Sequence, residues 1–370
     1  MQQSSNLGSF IRNTYLRHDS NSFIQGISTD VAIVDQLSAR AAGGGAEMIV
    51  NSAYALLQGL YPPTELGATT LATGQKVMPP LGGYQYIPGK LSNSPASRSS
   101  HVALQLYMVD PKINPVFNSW EDCNYFQFHL KRLYASALVK NMSTTAQPNN
   151  FTNMWNIYDY IHFQYTHNKS FYEHFPATYV QQARHYANWL QQRVFTDSVQ
   201  NGIGEIAIRT LLPNVFWHLG NMTETANKVK IALHVVDYKP FISLFDVTNA
   251  TKTDPDVAGI PEHASLIALE LSKDTQGEHH VSMKFKNGTQ NSEFRQLKMF
   301  GNDSITLKSF IKELAWTTIN STNNWCFSCN QTVLRGCSVF DFSKDPFLHG
   351  LGNKGYSQAA AKSSKAEREL

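Results

Sequence analysis

Hydrophobic positions follow two different periods along this chain. Leu7, Phe10, Ile11 and Tyr15 recur every three or four positions and predict a helix over 6–16. Residues 22–28 read as a short strand, and 36–45, small-residue rich with Gly43-Gly44-Gly45, as a flexible loop. From Glu47 an amphipathic helix carries Ile49, Ala53, Leu56, Leu57 and Leu60 on one face. It stops at Tyr61-Pro62-Pro63, because a proline ring crowds the preceding residue out of the helical region. Residues 84–88 alternate as a strand does. Helical patterns then occupy about 121–140, 151–166, 177–196 and 203–219, joined by polar loops with no strand among them. Alternation returns at 228–236, followed by a helix at 240–247, strands at 265–271 and 280–286, and a last helix at 307–316.

Strands interrupted by a long helical stretch predict an α/β fold, with a mostly parallel central sheet flanked by helices and a helical cap inserted into it. The expected partition is 1–91 and 229–345 for the two parts of the α/β domain and 92–228 for the cap. Residues 346–370, small and charged, form a solvated tail without a fold of its own. No internal repeat is present.

Composition narrows the classes. A chain of 370 residues, 42% hydrophobic, can bury a substantial core. A formal charge of +3 is too small and too dispersed for a nucleic-acid partner. No apolar run approaches the roughly 18–20 residues that span a bilayer, since 53–60 and 231–236 are core-sized. Nine Asn-x-Ser/Thr sequons, at Asn141, Asn150, Asn168, Asn221, Asn249, Asn287, Asn302, Asn320 and Asn330, point to a secreted or cell-surface glycoprotein. Yet the first twenty residues hold no apolar leader segment, so no signal peptide is expected in this chain.

The cysteines agree with an oxidising compartment. Cys326-Phe-Ser-Cys329 and Cys337 lie within twelve residues, and Cys123 lies far upstream. A zinc site would need a fourth ligand, which the flanking Asn, Trp, Phe and Thr do not offer, and a redox motif would want a helix after Cys329. Two disulfides fit better, with three pairings open.

Several segments together resemble one family. Ile27-Ser28-Thr29-Asp30, followed by Asn51-Ser52-Ala53-Tyr54-Ala55-Leu56-Leu57-Gln58-Gly59-Leu60-Tyr61-Pro62-Pro63, resembles the histidine acid phosphatases. There a strand ending Arg-Ser-Thr-Asp leads into a helix Arg-Thr-x-x-Ser-Ala that ends at a Pro-Pro pair. Leu7-Gly8-x-x-Ile11-Arg12-x-x-Tyr15 is similar to the family's first helix, and Tyr84-Gln85-Tyr86-Ile87-Pro88 to its next strand. Lys230-Ile231-Ala232-Leu233-His234-Val235-Val236-Asp237 is similar to the strand that ends in His-Asp, and Tyr238-Lys239-Pro240-Phe241 to the divergent fungal branch. The resemblance spans roughly 6 to 345.

What it implies is a phosphomonoesterase ancestry with a degraded site. The family's nucleophile is the histidine of Arg-His-Gly-x-Arg-x-Pro on the first strand. Its arginines grip phosphate oxygens with planar, permanently charged forks, and the His-Asp carboxyl protonates the leaving alcohol. By this resemblance the chain begins after that motif, so the first strand is expected to be missing, through truncation of a longer protein. Ile27 takes the place of the Arg in Arg-Ser-Thr-Asp, Met48 that of the helix arginine, and Val236 that of the histidine in His-Asp. Asp237 alone remains as a remnant proton donor. The expected product is an inactive acid phosphatase-like glycoprotein, without cofactor or metal, whose partner is a small phosphorylated ligand or a protein. The alternative is an active acid phosphatase or phytase-type enzyme, when full length or with a rearranged site.

Other motifs carry blander readings. In Arg17-His18-Asp19 the carboxylate would repel phosphate, and Asn21 stands where a second arginine is needed, which leaves a solvated loop histidine. Gly43-Gly44-Gly45 precedes a helix but no Lys-Ser/Thr follows it. His279-His280 beside Glu278 has no third ligand in sequence reach. His162 and His167, five apart among aromatic residues, suit packing better than ligation, and His234, three before Asp237, reads as a buried, hydrogen-bonded imidazole.

Overall fold

Two helices near the chain start cross where neither carries a side chain. Helix α1 (Gln2–Tyr15) presents Gly8 and α2 (Glu47–Leu60) presents Gly59. A Cβ on Gly8 would sit 2.0 Å from the Leu56 carbonyl oxygen, and one on Gly59 would sit 1.9 Å from that of Ser5. The backbones therefore touch, and Leu7, Ile11, Leu56, Leu57 and Leu60 close the contact around them. This crossing anchors the first of two compact units, made of Met1–Asp110, Asn214–Asp237 and Pro261–Gln296. The second comprises Pro111–Pro213, Tyr238–Ile260 and Leu297–Leu370. The structure, a computed structural model, describes residues 1–42, 47–87, 105–106, 120–146, 151–199, 202–334 and 337–338. The expected tail at 346–370, the triple glycine at 43–45 and sequon Asn150 lie outside the described residues.

The first unit contains a parallel sheet in the order β2-β1-β3, from β1 (Leu37–Ala41), β2 (Gln105–Leu106) and β3 (Ile231–Val235). All five residues of β1 are buried. Strands β1 and β3 run in register from Leu37 opposite Ile231 to Ala41 opposite Val235. Because side chains alternate across a strand, one face carries Leu37, Ala39, Ala41, Ile231, Leu233 and Val235, which join α1 and α2 in the core. The other face carries Ser38, Arg40, Ala232 and His234. An antiparallel hairpin, β4 (Leu266–Lys273) and β5 (His279–Lys286), belongs to the same unit. Tyr15 donates to Glu270 at 2.7 Å, and Lys284 pairs with that carboxylate at 2.8 Å, tying α1 to the hairpin.

The mixed helix-and-sheet class is as expected, but four local readings are corrected. The segment 36–45 is not wholly a loop, since its small residues form β1, where alanines let the sheet approach the helices closely. Residues 22–28 form turns instead of a strand. Gly26 takes φ 75°, and the Gln36 side chain bonds both Ser28 N–H and the Gly26 carbonyl, doing the work of a ladder. Residues 84–87 are likewise no strand; the Gln85 amide donates to the carbonyls of Asp30 and Pro62 and accepts from Ala32 N–H. Finally, the stretch read as strandless contains the two-residue β2.

The second unit is mainly helical: α3 (Asn124–Ala135), α4 (Ala137–Ala146), α5 (Met154–His167), α6 (Lys169–His174), α7 (Ala177–Val194), α9 (Lys239–Val247), α10 (Leu307–Leu314) and α11 (Thr322–Ser328). Helix α8 (Leu212–Met222) belongs to the first unit from Asn214 onward. The pattern at 121–140 is two helices, because Ser136 turns extended (ψ 152°) and its hydroxyl caps Val139 N–H at 3.3 Å. Disulfides pair Cys123 with Cys329, 206 residues apart, and Cys326 with Cys337. The first joins the start of α3 to the end of α11. Asn124 donates to the Asn330 carbonyl and Gln331 to that of Asp122, both at 2.7 Å, on the same seam. Among the described residues no helix is long and apolar enough to cross a membrane.

Candidate functional site

In open parallel sheets, ligands bind beyond the carboxyl ends of the strands, where several loops converge on groups held by a rigid scaffold. Here β1 and β3 end together, and their penultimate residues, Arg40 and His234, are direct neighbours in the register. Both point to the face turned away from the apolar core. Helix α8 contributes Asn214 and His218, which are four residues apart and therefore share one helix face. Arg40 Nη1 donates to Asn214 Oδ1, His218 Nε2 lies 3.4 Å from Ser38 Oγ, and the His218 and His234 rings are 5.6 Å apart. One guanidinium and two imidazoles thus meet on one polar patch of an otherwise apolar sheet.

Electrostatics fix the state of His234. Both of its ring nitrogens are sealed from solvent and have no hydrogen-bond partner among the described residues. Burial, with His218 and Arg40 nearby, lowers its pKa to about 3, so it is a neutral imidazole at ordinary pH. A buried polar group without a partner costs on the order of 1–3 kcal/mol, which makes this residue the strained member of the cluster. The sequence reading of a buried imidazole agrees with its placement, whereas the hydrogen bond expected of it is not formed among the described residues.

The predicted site residues are dispersed around this centre. Asp237 follows β3 by two residues at its carboxyl end and is half-buried. Met48, on the first turn of α2, is 80% exposed, and Ile27 is buried. The strand that leads into α2 is β1, not the segment Ile27-Ser28-Thr29-Asp30, so the assignment of Ile27 to a strand-end arginine is corrected. Arg40, which no motif comparison singled out, is the cation that this strand carries. The signal that could have found it is an arginine inside an otherwise small, apolar run, Leu37-Ser-Ala-Arg-Ala41.

A separate cleft of about 310 Å³ gathers Arg12, Arg17, His18, Asp19, Thr29 and Asp30. Its charges are already matched: Arg12 pairs with Asp30 at 3.0 Å, and Arg17 chelates Asp19 at 2.6 and 2.9 Å. The fork of Arg17 holds the Asp19 carboxyl below the usual carboxylate range. His18 stacks on Phe23 with ring centres 4.3 Å apart. Arginines so occupied offer little to an added phosphate, and the cleft's location at the end of α1 is not the sheet edge where the fold concentrates chemistry.

Of two further histidine readings, one changes in detail and the other stands. His280 Nε2 lies 3.1 Å from Asp274 Oδ2, so the turn of the hairpin supplies a third acidic or imidazole group beside Glu278 that sequence reach did not. His162 sits against Tyr158 and His167 against Phe163, as packing predicts.

The fold has recognisable counterparts. The phytase from Citrobacter braakii aligns at a TM-score of 0.52 and 11% identity, over 86% of this chain and 88% of that one. The Hafnia alvei phytase in complex with tartrate aligns at 0.53 and 12%, over 87% of each chain, and its apo form at 0.52 and 10%. At such identities the likeness is one of fold. No family model matches the sequence, and no curated protein does.

Proposed function

We propose that this chain is a histidine acid phosphatase-like glycoprotein, a phosphomonoester hydrolase by ancestry that does not turn substrate over. Support for the ancestry comes from the shared fold together with the ordered motif fragments at Ser52-Ala53, Pro62-Pro63 and Asp237. The observation that carries the inactive reading is the state of the sheet end. His234, the imidazole nearest Asp237 in sequence, has both nitrogens sealed, so neither can reach a phosphorus atom. Val236 replaces the residue that would grip phosphate beside Asp237, and exposed Met48 offers no charge. Asp237 can donate a proton but has no partner reaction to serve.

The same reading makes the chain secreted or displayed at the cell surface, in keeping with its two disulfides and sequons. It also assigns residues 92–228 as a helical cap and places the chain nearest the divergent fungal branch. A small phosphorylated ligand or a protein partner is its expected counterpart.

A second reading, an active phosphomonoesterase with a rearranged site, is favoured by one observation. Arg40 and two histidines do share one patch at the carboxyl end of the sheet. One assay separates the two. Purified protein is incubated with an aryl phosphate between pH 4 and 6, and no release above the uncatalysed rate is expected. Turnover that disappears in Asp237→Asn, or in His234→Gln, would establish the second reading and overturn the first.

A further inference from the structure

The nine sequons are not equivalent once folded. The Nδ2 atom of Asn221 is sealed inside the protein, so a sugar there would break local structure. Asn168 stands in the opposite situation. It is the single residue between α5 and α6, ending one helix and starting the next in an extended conformation (φ −112°, ψ 106°). Thr166, His167, Asn168, Lys169 and Ser170 are all exposed. Asn168 Oδ1 accepts from Phe171 N–H at 3.2 Å, and Nδ2 donates to Gln164 Oε1 at 3.0 Å. Attachment through Nδ2 removes one of its two hydrogens and leaves the oxygen untouched. The cap and one N–H donor therefore survive modification.

What surrounds Asn168 fits a sugar. A surface groove of about 510 Å³ is lined by Tyr165, Thr166, His167, Asn168, Lys169 and Tyr172, a size that holds a small molecule. The Tyr165 and Tyr172 rings stand 4.8 Å apart, and Tyr172 is 58% exposed. A pyranose face of C–H bonds is weakly positive and suits the negative face of such a ring, while its hydroxyls reach Thr, Lys and water at the rim.

We propose that Asn168 carries an N-linked glycan whose first N-acetylglucosamine lies in this groove against Tyr172. The inference rests on the glycoprotein reading above and names the site and its packing. The bond forms between Nδ2 and C1 of the sugar. The C1–O bond to a lipid pyrophosphate donor breaks, the pyrophosphate leaves with the electron pair, and Nδ2 gives up one proton. Packing against Tyr172 shields the core from an endoglycosidase that cuts between the first two sugars.

The test uses the full chain secreted from a eukaryotic host, with glycopeptides read by mass spectrometry. Asn168 is expected to be occupied. On the native protein its glycan should be released about threefold or more slowly than that at exposed Asn320, the factor one ring contact supplies. Tyr172→Ala should erase the difference and Tyr172→Phe, which keeps the ring, should retain it. Glycans at other sequons with Asn168 bare would overturn this inference and leave the glycoprotein reading standing. Equal release rates in the parent chain and Tyr172→Ala would overturn the groove. No glycan anywhere would overturn the glycoprotein reading itself.

Discussion

A single imidazole sets the acid sensitivity of the sheet. The unfolded chain protonates His234 near its ordinary 6.5, while the folded protein does so only at about 3. Between those values the unfolded state binds more protons, so stability is full above about pH 6.5 and is lost as the pH falls towards 3. The slope is about 1.4 kcal/mol per pH unit for this one group. Urea unfolding of the first unit at pH 7, 5 and 4 should show that decline, and His234→Gln, which cannot titrate, should flatten it. A ring titrating near 6.5 by NMR in the folded protein would sink the argument. Asp246 on α9 behaves oppositely. Burial, with Asp197 close by, raises its carboxyl to about 6, while Asp197 N–H donates to its Oδ2 at 3.4 Å. The folded state keeps this proton longer than the unfolded one, so its contribution is present below about 3.8 and lost as the pH rises to about 6.

Elements depend on contacts that leave no spare volume. The crossing of α1 and α2 admits no β-carbon at Gly8 or Gly59, and the groups in the way are backbone carbonyls that cannot swing aside. Gly59→Ala should destabilise the first unit by about 3 kcal/mol, at the upper end of ordinary overpacking. Gly220→Ala on α8 meets nothing within 4 Å and should stabilise by about 0.5–1 kcal/mol through helix propensity alone. Thermal melts of the two variants moving in the same direction would refute this account. The seam between α3 and α11 is closed instead by covalent chemistry. A bridge spanning 206 residues restricts the unfolded chain strongly, so Cys123→Ala with Cys329→Ala should cost about 2–5 kcal/mol, more than opening the 11-residue bridge between Cys326 and Cys337.

At the scale of the molecule the two titrations oppose each other. His234 belongs to the first unit and Asp246 to the second, and their windows overlap from about pH 3.8 to 6. Acidification in that range weakens one unit while strengthening the other. Acidification of the parent chain should therefore lower the first unit's transition while raising the second's. Asp246→Asn should abolish the second unit's rise between pH 6 and 4 and leave the first unit's fall unchanged. An unchanged pH profile in that variant would remove Asp246 from the account.

Much of the architecture was legible from periodicity. The helices at 6–16 and from Glu47, the hairpin strands near 265–271 and 280–286, and the strand ending before Val236 each carry an amphipathic or alternating signature, because one face must be buried. Proline, glycine and sequon chemistry are equally local, and so are the four half-cystines as a set. Strand β1 was not legible, because a strand buried on both faces shows no alternation and its alanines and serine resemble a loop. The polar patch could not be read either. Arg40, His218 and His234 lie on three elements up to 194 residues apart, and only the register of β1 with β3 and the packing of α8 bring them together. Cysteine pairing and the neutral state of His234 belong to the same class, since both depend on which atoms become neighbours and how much water remains between them. Local chemistry was written along the chain; proximity and dielectric were decided by the fold.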